Sequence, residues 1–146
     1  MVDREFLAER TILLLEYIAD MESYSGIKLS ELQENKVLRR FVERTLHLAV
    51  EACLDIGNHL IADLRLREPQ DYKDIMAVLA EAGYLPSDKS GQFQKMAQFR
   101  NVIVHDYAAI KPEILLGTLQ KGPADLRLFA AMIRDNFLQP ERPAES

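Results

Sequence analysis

The sequence predicts an all-α fold, a single-domain antiparallel bundle of about five helices. Apolar residues recur at intervals of three and four through most of the 146-residue chain, which is the period of a helix. Prolines interrupt this pattern at Glu68-Pro69 and Leu85-Pro86. No segment shows the alternation of apolar and polar residues that is typical of paired strands. A chain of this length favours one domain, which we place at 1–138, followed by a flexible tail at 139–146.

The first half of the chain predicts two helices. The first covers about residues 3–24. The second has Ser30 as its N-cap and runs over about 31–66, with a bend near Asn35. More than half of its circumference is apolar, which predicts a central bundle helix with one side against a second subunit. Gly57 lies inside this helix and would let a neighbouring element approach closely.

The second half of the chain predicts three more helices. A short one covers 71–82 and stops before the next glycine. A fourth begins at Ser87 or the residue after it and continues to about 104–106. The last begins at Pro112, is interrupted at Gly122-Pro123, and resumes as far as residue 138.

Composition limits the classes of function. The net charge of −5 argues against a broad basic surface for nucleic acid, and the acidic excess lies in residues 1–86. The single cysteine, Cys53, excludes an intrachain disulfide and predicts inert core. No apolar run is long enough to span a membrane, and the first residues are charged, so we expect a cytoplasmic protein without a membrane partner.

The segment 99–107, with the sequence FRNVIVHDY, carries the residues suited to chemistry. Arg100 lies in the middle of the apolar face of the fourth helix, where its charge is costly unless it meets an anion. Two interpretations follow. Arg100 either pairs inside the bundle, with Glu51 or Asp55, or projects into a pocket.

His105 offers a group that titrates near neutral pH, and Asn101 lies one turn before it on the same face. On an ideal helix His105 is about 140° from Arg100, so the two converge only if the helix unwinds or a second subunit contributes. Together they would suit cleavage of a phosphodiester, with histidine as base and arginine neutralising the growing charge. The structural alternative is a histidine that stabilises the end of the helix dipole.

The spacing Arg-x4-His-x-Tyr, at Arg100, His105 and Tyr107, resembles the motif of HEPN-domain proteins, and within them the HepT toxins. Members of that family are paired with an MNT-type nucleotidyltransferase antitoxin. Three further blocks also resemble the family: residues 42–46, 51–59 and 72–74. Together with the motif, the resemblance covers about residues 5–137.

The resemblance implies a dimeric HEPN-like bundle that acts as a metal-independent endoribonuclease on RNA at a homodimer cleft. It assigns catalysis to Arg100 and His105, with Asn101 and Tyr107 in support. It also implies that the antitoxin transfers AMP from ATP onto Tyr107, so that ATP is used by the partner and the chain needs no cofactor or metal. The alternative from another class is a non-catalytic helical partner that binds a nucleotide, or whose tyrosine is merely modified.

The remaining polar candidates have simpler interpretations. His47 is expected to be a solvated surface residue, and His59 to pair with Asp55, one turn earlier. Neither histidine has the spacing of a metal site. The pairs Arg39-Arg40 and Arg65/Arg67 are interpreted as ordinary charge on a helix surface, with contacts to RNA as the alternative.

Overall fold

The structure is a computed structural model that describes residues 2–105 and 110–140, with the backbone alone at 104 and 105. Six helices and no strand occur in this part of the chain, which confirms the all-α prediction. A 3₁₀ turn at Ser87–Lys89 leads into the fifth helix, and a π-helical turn at Arg134–Leu138 follows the sixth. The helices are α1 Arg4–Ser23, α2 Leu29–Glu34, α3 Lys36–Asp63, α4 Tyr72–Glu81, α5 Ser90–His105 and α6 Pro112–Ile133.

The extra helix arises at Asn35, where the predicted bend is a complete break. Asn35 has extended backbone angles and ends α2, and its side-chain oxygen accepts a hydrogen bond from the backbone N–H of Leu38 at 3.0 Å. It therefore caps α3, because asparagine satisfies one of the unpaired amides of a new helix. The predicted cap at Ser30 is wrong, since α2 starts after Lys28, whose backbone N–H donates to Glu31.

Helix α3 is the centre of the bundle, as its apolar circumference predicts. It contacts each of the other five helices, and twelve of its residues are buried. Helix α1 runs antiparallel to it: the backbone N–H of Asp3 at the start of α1 donates to Asp63 at the end of α3. At the opposite end, the rings of Tyr24 and Phe41 lie 5.1 Å apart. Asp3 also caps α1 through the backbone N–H of Phe6.

Gly57 has the role that the sequence predicts. A Cβ atom at this position would lie 2.5 Å from Cγ2 of Ile75 in α4, so the absence of a side chain lets α4 pack directly on α3. The predicted interruption at Gly122-Pro123 is wrong, because α6 is continuous through Pro123. Proline removes one helical hydrogen bond, but Pro123 is buried on the face that α6 packs against the bundle, and this packing keeps the helix intact.

The domain limit at 138 stays a prediction, and residues 141–146 of the predicted tail lie outside the described part of the chain. Within that part, no helix combines the length and the apolar character needed to cross a membrane.

Candidate active site

Arg100 lies on the inner side of α5, where it is half-buried against α3. Its Nε–H donates a hydrogen bond of 2.7 Å to Oε1 of Glu51. Of the two carboxylates that the sequence offered, the structure therefore selects Glu51. Asp55, one turn further along α3, is exposed, and no ion pair in the described part of the chain joins it to Arg100. A paired arginine in this position agrees with the cost of leaving its charge among apolar neighbours.

Tyr72, the first residue of α4, packs against the same guanidinium group. The Cζ atom of Arg100 lies 4.3 Å from the centre of the tyrosine ring, which is the geometry of a cation–π contact. Three helices thus contribute to one arginine: α5 carries it, α3 supplies Glu51 and α4 supplies the ring. Periodicity gave no reason to connect Tyr72 with Arg100, and the signal was its place in one of the blocks that resemble HepT proteins.

His47 extends this arrangement along α3. Its Nε2 lies 3.3 Å from Oε1 of Glu51, the oxygen that also accepts from Arg100, and Nη1 of Arg44 lies 3.2 Å from its Nδ1. Arginine can only donate, so Nδ1 accepts and the ring hydrogen on Nε2 points to Glu51. The expectation of a freely solvated His47 is wrong. The signal in the sequence was the spacing of four residues between histidine and glutamate.

Electrostatics fix the charges of the pair at neutral pH. Partial burial opposes ionisation of Glu51, but the hydrogen bond and charge of Arg100, and then the hydrogen bond from His47, outweigh it and lower the pKa of this carboxyl. The hydrogen bond to Glu51 raises the pKa of Arg100. Glu51 is therefore an anion and Arg100 a cation. A phosphate bound here would contact Arg100 while the carboxylate of Glu51 holds the guanidinium group in place.

Of the other three predicted site residues in the motif, the structure describes the side chain of Asn101 alone. Asn101 is exposed and lines a shallow cleft beside Tyr72, so Arg100 and Asn101 both lie next to this ring. His105 is the last residue of α5, and its side chain lies outside the described residues, as does Tyr107. The convergence of His105 and Tyr107 with Arg100 stays a prediction.

The remaining candidates belong to the packing of the bundle. The ring of His59 stacks on Phe6, with 3.8 Å between the ring centres, and no hydrogen bond or ion pair joins it to Asp55 among the described residues. Burial raises the pKa of the Cys53 thiol, in keeping with an inert core residue. Among the described residues, no group of three or more His, Cys, Asp or Glu side chains is placed to hold a metal ion.

Comparisons with known proteins agree on one family. The family model described as "Ribonuclease HepT-like" matches residues 14–133. A relative from Shewanella oneidensis named mRNA nuclease HepT is 30% identical over 105 residues, which is 72% of this chain and 79% of the relative. A tRNA nuclease HepT from Aphanizomenon flos-aquae is 23% identical over 76% of each chain.

A solved structure extends the similarity to the whole bundle. The tri-AMPylated Shewanella oneidensis HEPN toxin, in complex with its MNT antitoxin, has a TM-score of 0.81 at 24% identity. The match covers 92% of this chain and 100% of that toxin, so nearly every helix has a counterpart.

Proposed function

Because the chain belongs to the Ribonuclease HepT-like family, we propose that it is the toxin of a toxin–antitoxin pair and acts as a metal-independent endoribonuclease at a homodimer cleft. Family membership confirms the resemblance drawn from the motif, and with it the prediction of a ribonuclease. The observation that carries the proposal is the placement of Arg100. It is oriented by Glu51 and Tyr72 on the helix that ends at His105.

The proposed chemistry uses the nucleophile that RNA itself supplies. His105 would take the proton of a ribose 2′-hydroxyl, whose oxygen then bonds to the adjacent phosphorus. The bond from phosphorus to the 5′-oxygen breaks, leaving a 2′,3′-cyclic phosphate, and the 5′-oxygen receives a proton. Arg100 would neutralise the charge that grows on the non-bridging oxygens of the phosphate. No step of this transesterification requires a metal.

The leaving 5′-oxygen needs an acid, and each motif carries one histidine. A twofold dimer with its two motifs facing one cleft would supply two histidines and two arginines. Mixed dimers of wild-type and His105→Ala chains test this. We expect their rate of RNA cleavage to fall far below half of the wild-type rate, and half the rate, meaning full activity per intact site, would contradict a shared cleft.

Neutralisation is proposed to occur by transfer of AMP from ATP onto Tyr107 by an MNT-type nucleotidyltransferase. Tyr107 lies two residues beyond His105 in the sequence, so an added nucleotide would bring negative charge and bulk close to the catalytic groups. It would thus compete for the interactions that Arg100 offers to RNA. The AMPylated state of the Shewanella oneidensis toxin supports this part of the proposal.

The test is cleavage of RNA by purified protein, with and without a metal chelator. We expect wild-type protein to cut RNA equally well in both conditions, and His105→Ala to lose at least a hundredfold in rate. Wild-type protein treated with the transferase and ATP should gain mass in AMP increments and lose cleavage, whereas Tyr107→Phe should do neither. Equal cleavage by wild type and His105→Ala would contradict the proposal and leave a non-catalytic partner as the better interpretation.

A further inference from the structure

The amino-terminal half of α3 is a basic region in an acidic protein. Residues 36–47 contain four lysines or arginines and a single acidic residue, Glu43, although the whole chain has a net charge of −5. One of the four, Arg39, is used structurally, because its Nη1 donates to the backbone carbonyls of Leu32 and Gln33 at the end of α2. Arg40 and Arg44 are exposed, and neither forms an ion pair among the described residues; Arg44 contacts only the ring of His47, so both charges are available to a ligand.

These two arginines form a row with the groups that hold Arg100. Arg40, Arg44, His47 and Glu51 follow one another at steps of four, three and four residues, which places them on one face of α3. A shallow groove is lined by Arg40, Glu43, Arg44, His47 and, from α5, Ile103. Ile103 lies about one turn beyond Arg100, so the groove continues directly from the candidate active site. The row from Glu51 to Arg40 is about 16 Å long.

Exposed aromatic rings lie beside the amino-terminal end of this row, next to the residues that line the groove. Phe41 follows Arg40 in sequence and is 42% exposed, and its ring lies 5.1 Å from that of Tyr24, which is 37% exposed. Exposed rings beside a positively charged groove are the combination by which proteins bind single-stranded nucleic acid, since bases stack on the rings while cations contact the phosphates.

We propose that this groove on α3, with Arg40 and Arg44 as phosphate contacts and Phe41 as a stacking platform, binds the single-stranded RNA that flanks the bond being cut. The inference rests on the proposed ribonuclease function, and it extends the site from one phosphate to a stretch of several nucleotides. A polyanion fits the groove better than a second copy of the chain. Two positive charges, those of Arg40 and Arg44, line the groove against the single carboxylate of Glu43.

The salt dependence of RNA binding tests this proposal. The protein carries Arg40→Gln and Arg44→Gln together, and the probe is a fluorescent oligouridylate of about 12 nucleotides. Each phosphate contact with a single strand contributes about 0.7 to the slope of log affinity against log salt concentration, so we expect the double variant to lower this slope by about 1.4. A dinucleotide, which is too short to reach the groove from Arg100, should bind both proteins equally.

A matched control separates a local effect from a change in total charge. Arg65→Gln with Arg134→Gln removes two exposed arginines at the opposite end of the bundle, and its slope should equal that of the wild type. An unchanged slope in the Arg40/Arg44 variant, or the same loss in the control, would overturn the proposal. So would an unchanged slope combined with weaker self-association or antitoxin binding, which would assign the surface to a protein contact.

The binding assay does not depend on catalysis. Absence of RNA cleavage by the wild-type protein would contradict the proposed function and leave the slope as an independent measure of the groove. Normal cleavage with an unchanged slope would instead contradict the groove and spare the proposed function. A Phe41→Leu variant completes the set, with an expected loss of about fivefold or more in affinity for the long probe.

Discussion

Arg67 and Arg100 are both bound to carboxylates, yet in opposite ways. Arg67, in the connection between α3 and α4, donates four hydrogen bonds of 2.8–2.9 Å to Asp74 and Glu81, both on α4. These two carboxylates balance its positive charge, and all three of its nitrogens donate to them. Arg100 donates through Nε to Oε1 of Glu51. The same oxygen also lies within hydrogen-bond distance of His47.

The contrast separates a structural arginine from one that is suited to a ligand. Arg67 is exposed and holds the connection between α3 and α4 against α4, because its planar group binds two carboxylates of that helix. Arg100 is half-buried, has one carboxylate as an orienting partner and presents a face to Tyr72. A count of ion pairs would rank Arg67 first, whereas the geometry of the partners points to Arg100.

The largest difference is expected when each arginine is replaced by lysine. Arg100→Lys keeps the charge but loses the planar fork, so we expect RNA cleavage to fall by about a hundredfold or more. Arg67→Lys should cleave RNA at the wild-type rate, because its contacts lie within α4 and its preceding connection. The measurement is the single-turnover rate of RNA cleavage, compared at equal folded fractions of the two variants. The same loss of rate in both would contradict the distinction between Arg100 and Arg67.

A smaller effect is expected from Glu51→Gln, which keeps a hydrogen-bond acceptor and removes the charge. Glu51 both orients Arg100 and competes with phosphate for it, so kcat should fall by about tenfold while KM for RNA should not rise. Steady-state kinetics on one RNA substrate provide the measurement. An unchanged kcat, or a rise in KM at constant kcat, would show that Glu51 does not position Arg100.

The ring of Tyr72 is expected to contribute less again. A cation–π contact near the surface is worth about 0.5–1 kcal/mol, so Tyr72→Leu should slow cleavage by roughly twofold to fivefold. Tyr72→Phe keeps the ring and is the matched control, with a rate close to that of the wild type. Equal losses in the two variants would assign the effect to the hydroxyl and not to the ring.

The Arg67 cluster makes a prediction about stability instead. The hydrogen bond from Arg67, followed by one from the backbone N–H of Gln70, lowers the pKa of Asp74 to about 2. A carboxyl with a lowered pKa stabilises the fold above its ordinary value near 3.8, and this contribution is lost as the pH falls from about 4 to 2. Melting temperatures should therefore drop less over this range in Asp74→Asn than in the wild type.

The control for that experiment is Asp20→Asn, which removes an exposed carboxyl on α1 that forms no ion pair among the described residues. Its melting temperature should follow the wild-type dependence on pH. A parallel decline in Asp74→Asn and the wild type would show that Arg67 does not tune this carboxyl.

Local signals in the sequence account for much of the fold. Asp3 and Asp71 cap helices because a short acidic side chain satisfies the first amides, and the apolar circumference of α3 predicts its central place. The interruption expected at Pro123 does not occur, since burial of that residue outweighs a lost hydrogen bond. At this position tertiary packing outweighs the low helix propensity of proline, and such packing cannot be predicted from the sequence of one segment.

The site was predictable in part, for a related reason. The position of Arg100 on an apolar face predicted either a carboxylate partner or a pocket, and the outcome, including the choice between Glu51 and Asp55, depends on how α5 is rotated against α3. Tyr72 and His47 come from two further positions that no local pattern linked to Arg100. Residue spacing therefore predicted a chemistry, and tertiary packing determined which side chains surround Arg100.

The most direct test of Arg100 as the functional cation is chemical rescue of Arg100→Ala. The substitution leaves a space between Glu51 and Tyr72 that matches a small planar cation. Cleavage of RNA by this variant should be at least a hundredfold slower than in the wild type and should rise towards saturation as methylguanidinium is added. Ammonium at equal ionic strength should not restore it. Wild-type cleavage by Arg100→Ala, without any added cation, would contradict a catalytic role for this arginine.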